Sequence, residues 1–378
     1  MTTSRERFKQ AHGALAQQER EAHEGKIREL EAKLKKERDA RITAEEIRSA
    51  VFGLSEQKLD APQIILPRTE KKNRTTLVPV LLISDEQVGE HIVAEEVEGV
   101  NFYDHNVYAE RHDRCARTLV EISSNHMGAA QFPLLVAAFL GDAVNGQIHA
   151  ELAETNTLHS IPSVRKVVAK RRDAIDFWLS AKNKDGGLLF PKIIVIVIPG
   201  NHGRTTIKPR FKRYVSTNYE AIIGWWLQEI YAKEPRVKIV VPESGDYHMM
   251  IWGRGLFFTH GDRMGSLTGK GAGMGFAGPV LPILRGAKQI REQQGAMGRR
   301  IDYIHVGHWH DQCDAGGAFG NGAMAGYNEF AHGLRYRPAP AVQTLYYLHA
   351  EYGATARWPI FLSEQPRAAA SPDVFDLA

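Results

Sequence analysis

Cysteine is nearly absent. Two residues, Cys115 and Cys313, in a chain of 378 cannot build a disulfide framework, and both are read as buried apolar fillers in a reducing compartment. No stretch reaches the ~18 apolar residues that a membrane-spanning helix needs. The opening Met1-Thr-Thr-Ser-Arg-Glu-Arg lacks the apolar centre of a secretory signal. Strong charge of one sign is missing too. The net charge is +4 and the pI about 8.9, which permits a phosphate-rich partner without requiring one. There are no internal repeats. What remains is a soluble, cytoplasmic protein whose 43% hydrophobic and 24% charged content suits one large globular domain or two ordinary ones.

Residues 1–53 are polar, charged and helix-compatible. Ile27, Leu30 and Leu34 fall at i, i+3, i+7 and form a narrow apolar stripe. It serves either as a solvated helix docked on its own domain or a neighbour, or as an oligomerising coil. Thr43-Ala-Glu-Glu46 is a capping-box pattern opening a second short helix. Residues 54–75, with Pro62, Pro67 and the cluster Lys71, Lys72 and Arg74, read as a linker.

From residue 76 the pattern changes. Val78–Ile83, Pro133–Leu140 and Ile193–Ile198 are apolar runs of strand length, consistent with burial on both faces. Helix-compatible stretches at 106–127, 164–181 and 219–231 separate or follow them. This β-α-β-α-β order predicts an α/β domain, residues 76–363, with a largely parallel sheet. After residue 236 come shorter strands: 237–241, 248–252, 256–260, 303–306 and 342–348. Residues 263–300, rich in Gly and basic side chains, read as a functional or disordered insertion. Residues 364–378 read as a loose tail.

The chemistry collects where the strands end. In order these ends carry Asp85-x-Gln87, Gly141-Asp142, Gly200-Asn201-His202, His260 and Gly307-His308-x-His310. Singly, a strand-end His is an ordinary structural residue and Gly-Asp an ordinary turn. Five such groups in series, each after a buried run, point to one site. Carboxylates, imidazoles and amide oxygens together suit two adjacent divalent cations sharing a carboxylate, and their mixed donors favour Mn²⁺, Fe, Zn²⁺ or Ni²⁺ over Ca²⁺. Mn²⁺ is the expected ion, with Mg²⁺ also possible.

This series resembles the calcineurin-like metallophosphoesterase superfamily, whose motifs are D-x-H, G-D-x-x-D, G-N-H-D/E, H and G-H-x-H. The resemblance covers about residues 78–312 and implies a four-layer α/β/β/α sandwich. It implies that Asp85, Gln87, Asp142 and His310 hold one metal, with Asp142 bridging, and that Asn201, His260 and His308 complete the second. His202 would then stay off the metals and protonate the leaving oxygen or stabilise the phosphate. Three positions depart from the pattern: Gln87 replaces a His, Asn145 replaces the second Asp, and Gly203 replaces the acid after Gly-Asn-His. The stretches around Gly141-Asp142 to Leu152 and Gly200 to Arg204 are similar to phage-encoded members near the DNA-repair exonuclease branch. A DNA nuclease in the host cytoplasm is therefore the expected function. A phosphodiesterase on small cyclic nucleotides, and an adaptor with a degenerate metal site, are the alternatives. Arg204, Lys208, Arg210, Lys212, Arg213 and Arg263 are candidate phosphate-facing cations, and Trp309 either stacks on a base or packs. Asn145 and His149, spaced i, i+4, would share one helix face toward the metals.

Overall fold

The structure, a computed structural model, describes residues 25–26, 28–32, 63–64, 75–264 and 280–363. The chain divides into two units, Met1–Asp60 and Ala61–Ala378. In the first, residues 25–26 and 28–32 are helical and Leu30 is exposed. Ile27, Leu34 and the capping box lie outside the described residues, as do 265–279 and the expected tail.

The second unit is an α/β fold. Its strands are β1 (Gln63–Ile64), β2 (Leu77–Ile83), β3 (Leu135–Phe139), β4 (Ile193–Val197), β5 (Val237–Val240), β6 (Tyr247–Ile251), β7 (Arg254–Phe258), β8 (Tyr303–Val306), β9 (Cys313–Asp314), β10 (Ala318–Gly320), β11 (Val342–His349) and β12 (Gly353–Phe361). Its helices are α1 (His105–Glu121), α2 (Ala150–Thr155), α3 (Ser160–Ser180), α4 (Tyr219–Ile230), α5 (Val280–Ala296) and α6 (Glu329–Gly333).

The strands form two mixed six-stranded sheets, ordered β12-β11-β2-β3-β4-β5 and β1-β6-β7-β8-β10-β9. In the first, β2 to β5 are parallel, as their helical crossovers require, while β11 and β12 run antiparallel along one edge. The segment expected as a linker contributes β1, an edge strand parallel to β6.

Period-two alternation sorts the apolar side chains of β2, β3 and β4 onto two faces. Leu81, Ile83, Phe139, Val195 and Val197 share one cluster with Leu119, Trp178 and Leu227 of the helices. Val80, Leu82, Val136, Ala138, Ile194 and Ile196 share another with Met249, Leu256 and Phe258 of the second sheet. A third joins Phe257, Ile304 and Val306 to Ile283 and Ala287 of α5. Each fully buried Leu, Ile, Val or Phe contributes about 1.5–3 kcal/mol, so runs buried on both faces hold the sheet closely in place. The expected insertion at 263–300 thus contains a helix. Its buried Ile283, Gly286, Ala287 and Gln294 follow helical spacing, a signal masked by the Gly-rich residues before it.

Register then sets the site. Ile83 pairs with Phe139, and Phe139 with Val197, so the first sheet's parallel strands end level. Phe258 pairs with His305. The loops carrying Asp85, Asp142, Asn201, His260 and His308 therefore leave the carboxyl ends of their parallel strands.

Candidate metal centre

The backbone is unusual where the candidate ligands sit. Among the described residues, positive φ at non-Gly positions includes Asp85 (54°), Gln87 (42°), Asp142 (53°), His308 (66°) and His310 (54°). Side chains rarely occupy this region, at a cost on the order of 1–3 kcal/mol each, and such outliers cluster at functional sites. His308 and His310 lie beyond the end of their strand, because β8 stops at Val306. Left-handed turns aim both rings.

Asp142 is buried and central. Its Oδ1 accepts the His202 backbone N–H at 2.8 Å, and its Oδ2 lies 3.1 Å from His260 Nε2. Burial pushes the carboxyl up, but His260 and His202 beside it hold it well below the usual range. His260 Nδ1 lies 2.6 Å from the Leu140 carbonyl, which can only accept, so Nδ1 carries the proton. That fixes the ring and leaves Nε2 for the site, the arrangement metal-ligating histidines adopt. The same Nε2 is 3.0 Å from Asn201 Oδ1. Burial disfavours the His260 cation, yet Asp142 and Asp85 push its pKa up to about 10. His308 completes a cluster in which ligand atoms of Asp142, His260 and His308 all lie within 4.8 Å of one another. Burial, with His260 adjacent, lowers its pKa to about 4.

The other half adjoins. Asp85 accepts the His308 backbone N–H at 3.1 Å and sits 3.2 Å from His310 Nε2. Burial raises its pKa, and His310 more than offsets that. Gln87 Nε2 is 3.4 Å from the same His310 nitrogen, while Gln87 Oε1 is buried with no partner. An orphaned amide oxygen among a carboxylate and an imidazole is a position a divalent cation would satisfy. The seven candidate ligands thus form one contiguous group.

Close approach explains a glycine in the motif. A Cβ on Gly200 would fall 2.1 Å from Asp142 Oδ1. Gly203 is closely confined as well, since a Cβ there would lie 1.8 Å from Glu220 Oε2. The buried Glu220 accepts the Ala143 N–H at 2.9 Å, and burial next to Asp142 pushes it up to about 7. A carboxylate from the first turn of α4 therefore fills the space that a side chain at position 203 would need. Asn218 caps that helix and also donates to the Gly200 carbonyl at 2.7 Å. Gly203→Asp is expected to destabilise the fold by about 1–3 kcal/mol through overpacking. Adding Glu220→Ala should recover most of that loss. Equal denaturant midpoints for Gly203→Asp and wild type would show that the space is not shared.

Sequence reasoning missed several groups here. Glu90 accepts from Asn328 with Oε1, and its buried Oε2 has no partner. Burial raises its pKa, against the Asn328 hydrogen bond and nearby His202 and His310, so a further buried carboxylate lies near the centre; its place in the Asp85 loop was the available signal. Glu86 turns the other way. It ion-pairs with the fully buried Arg171 of α3 and accepts from Tyr108 at 3.1 Å. Arg171→Ala would strand that carboxylate and should cost about 3–5 kcal/mol, read as a lower urea midpoint. An unchanged midpoint would mean that the pair does not brace the Asp85 turn.

Other expected residues fall differently. Asn145 and His149 do not share a helix face, since α2 begins at Ala150 and His149 is an exposed N-cap residue. Asn145 instead bonds Asn156 with its side chain, and its carbonyl accepts from His202 Nδ1 at 3.0 Å. The Arg204 guanidinium is used by the carbonyls of Asn201, Thr206 and Ile207. Arg263 pairs with Asp246 at 2.6 Å and lies over the Tyr214 ring. Lys208 is exposed. Trp309 packs against the α5 cluster and the His308 ring.

No family profile and no curated protein matches the chain. Among solved structures, a protein of unknown function from Aquifex aeolicus is 10% identical, covering 63% of this chain and 82% of its own, with a TM-score of 0.27. A mutant cold-active protein tyrosine phosphatase is 12% identical, covering 78% and 83%, with a TM-score of 0.31. Likenesses this faint carry no argument about fold or activity. Among the described residues, no helix is long and apolar enough to cross a membrane.

Proposed function

We propose that the chain is a dinuclear-metal-dependent phosphodiesterase of the calcineurin-like type, acting on nucleic acid and foremost on DNA. The observation that carries this reading is the convergence of Asp142, His260, His308 and Asn201 beside Asp85, Gln87 and His310. Three apolar clusters, between helices and sheet, between the two sheets, and between sheet and α5, support the four-layer α/β/β/α arrangement.

Asp85, Gln87, Asp142 and His310 would hold one cation, and Asp142, Asn201, His260 and His308 the other. Divalent ions there supply positive charge for the phosphoryl oxygens and lower the pKa of water. The chain's own residues do the rest. Asp142 fixes His202 through its backbone N–H. Asn145 fixes the imidazole through Nδ1–H, leaving Nε2 to give a proton to the leaving oxygen.

The test uses metal-stripped protein reloaded with Mn²⁺. About two ions per chain should bind, and bis(p-nitrophenyl) phosphate and labelled DNA should be cleaved, with a cyclic dinucleotide as the competing substrate. Well under one ion per chain, with no turnover, would favour an adaptor that has kept the fold without the chemistry.

A further inference from the structure

Beside the centre stands a loop whose apolar tip the phosphoesterase reading leaves unused. Residues 207–213, Ile-Lys-Pro-Arg-Phe-Lys-Arg, are all exposed. Phe211 is 87% exposed and Ile207 79%. Lys208, Arg210, Lys212 and Arg213 form no ion pair or side-chain hydrogen bond among the described residues. A single exposed aromatic is ordinary on a protein surface. One set among four unpartnered cations within seven residues is a different feature, because each cation repels the others and none is neutralised.

The base of the loop is fastened to the site. Arg204 binds the Asn201 carbonyl at 2.9 Å with one guanidinium nitrogen and the Ile207 carbonyl at 3.1 Å with another. Tyr214, at the far end, donates to the Pro199 carbonyl at 3.2 Å. Thr205 N–H donates to the Thr217 carbonyl at 2.9 Å, closing the neck. A small cleft lined by Asn201, Arg204, Pro209, Arg210, Tyr214 and Asp262 runs from the candidate ligand Asn201 to the loop. The platform is therefore positioned by the same Pro199–Asn201 turn that presents the metal ligand.

We infer that this loop is a stacking platform for single-stranded nucleic acid, with Phe211 under an unpaired base and Lys208, Arg210 and Lys212 along the phosphates. The inference rests on the phosphodiesterase reading and names its substrate class. A base has an apolar face to offer Phe211 only when it is unstacked, and the charge around it must be met by a polyanion. Duplex DNA hides the first and supplies only the second. Cut strands, frayed ends and gaps supply both.

The experiment measures anisotropy of a labelled single-stranded oligonucleotide and its duplex with the metal-stripped full chain in EDTA, so that nothing is cleaved, across a salt series; a matched RNA strand assigns the sugar. Phe211→Ala should weaken single-strand binding roughly 5- to 150-fold, with little change for the duplex, and Phe211→Trp should restore it. Replacing Lys208, Arg210 and Lys212 with Ala should reduce the slope of log affinity against log salt by about 2. Tyr352, 70% exposed on the β11–β12 turn, serves as the remote aromatic control, and Tyr352→Ala should bind as wild type. Wild-type affinity in Phe211→Ala, or equal losses on single strand and duplex, would overturn the platform. Wild-type hydrolysis of bis(p-nitrophenyl) phosphate by the Mn²⁺-reloaded chain is measured alongside. If it is present while Phe211→Ala binds normally, only the platform fails; if it is absent, the phosphodiesterase reading fails.

Discussion

Asp142→Ala is expected to lower Mn²⁺-dependent phosphodiester hydrolysis by roughly 10³-fold or more, because the residue would be shared by both cations and its loss disables groups that act as a unit. The side chain has no slack. One oxygen holds the His202 backbone and the other faces His260, both in a buried setting. Removal takes away a negative charge that His260, His202 and His308 all face. Bound Mn²⁺ per chain should fall with turnover. Asp142→Asn keeps the shape and can still accept from His202, so it should melt near wild type while losing similar activity. Turnover within tenfold of wild type in either variant would place the chemistry elsewhere.

His202→Ala should behave differently. General acid catalysis is worth about 10²–10⁴ in rate, so kcat on DNA should drop by that factor. Metal content should be unchanged, since the imidazole is held by the Asn145 carbonyl and not by the ligand cluster. The loss should shrink for bis(p-nitrophenyl) phosphate, whose leaving group needs little protonation. Equal losses on both substrates would show that His202 binds phosphate instead of moving a proton. The two variants together separate holding the cations from delivering a proton.

The strand-end groups were legible because local chemistry and periodicity agree there. Val78–Ile83, Pro133–Leu140 and Ile193–Ile198 are apolar without interruption, and Asp or Asn follows each at a Gly-containing or polar turn. The helix at Val280–Ala296 was obscured by the Gly-rich residues beside it. Asn145 and His149 suggested a helix face from spacing alone, but Gly146, at φ 68°, breaks the helix between them. Arg204 and Arg263 offered charge without context. Folding gives the first to three backbone carbonyls and the second to Asp246, since a guanidinium near buried carbonyls or a carboxylate is best satisfied there.

The sequence by itself determined which strands are buried on both faces, in what order they present Asp, Asn and His, and that a glycine, Gly203, follows Gly-Asn-His202. Those are properties of neighbouring residues. Only the tertiary structure decided that Glu220, seventeen positions beyond Gly203, fills the space a side chain at 203 would need, that Glu90 is buried with one oxygen unpartnered, and that Arg204 staples an exposed Phe211 loop to Asn201. Each depends on which distant groups share a few ångströms once the sheets pack, and sequence separation carries no information about that.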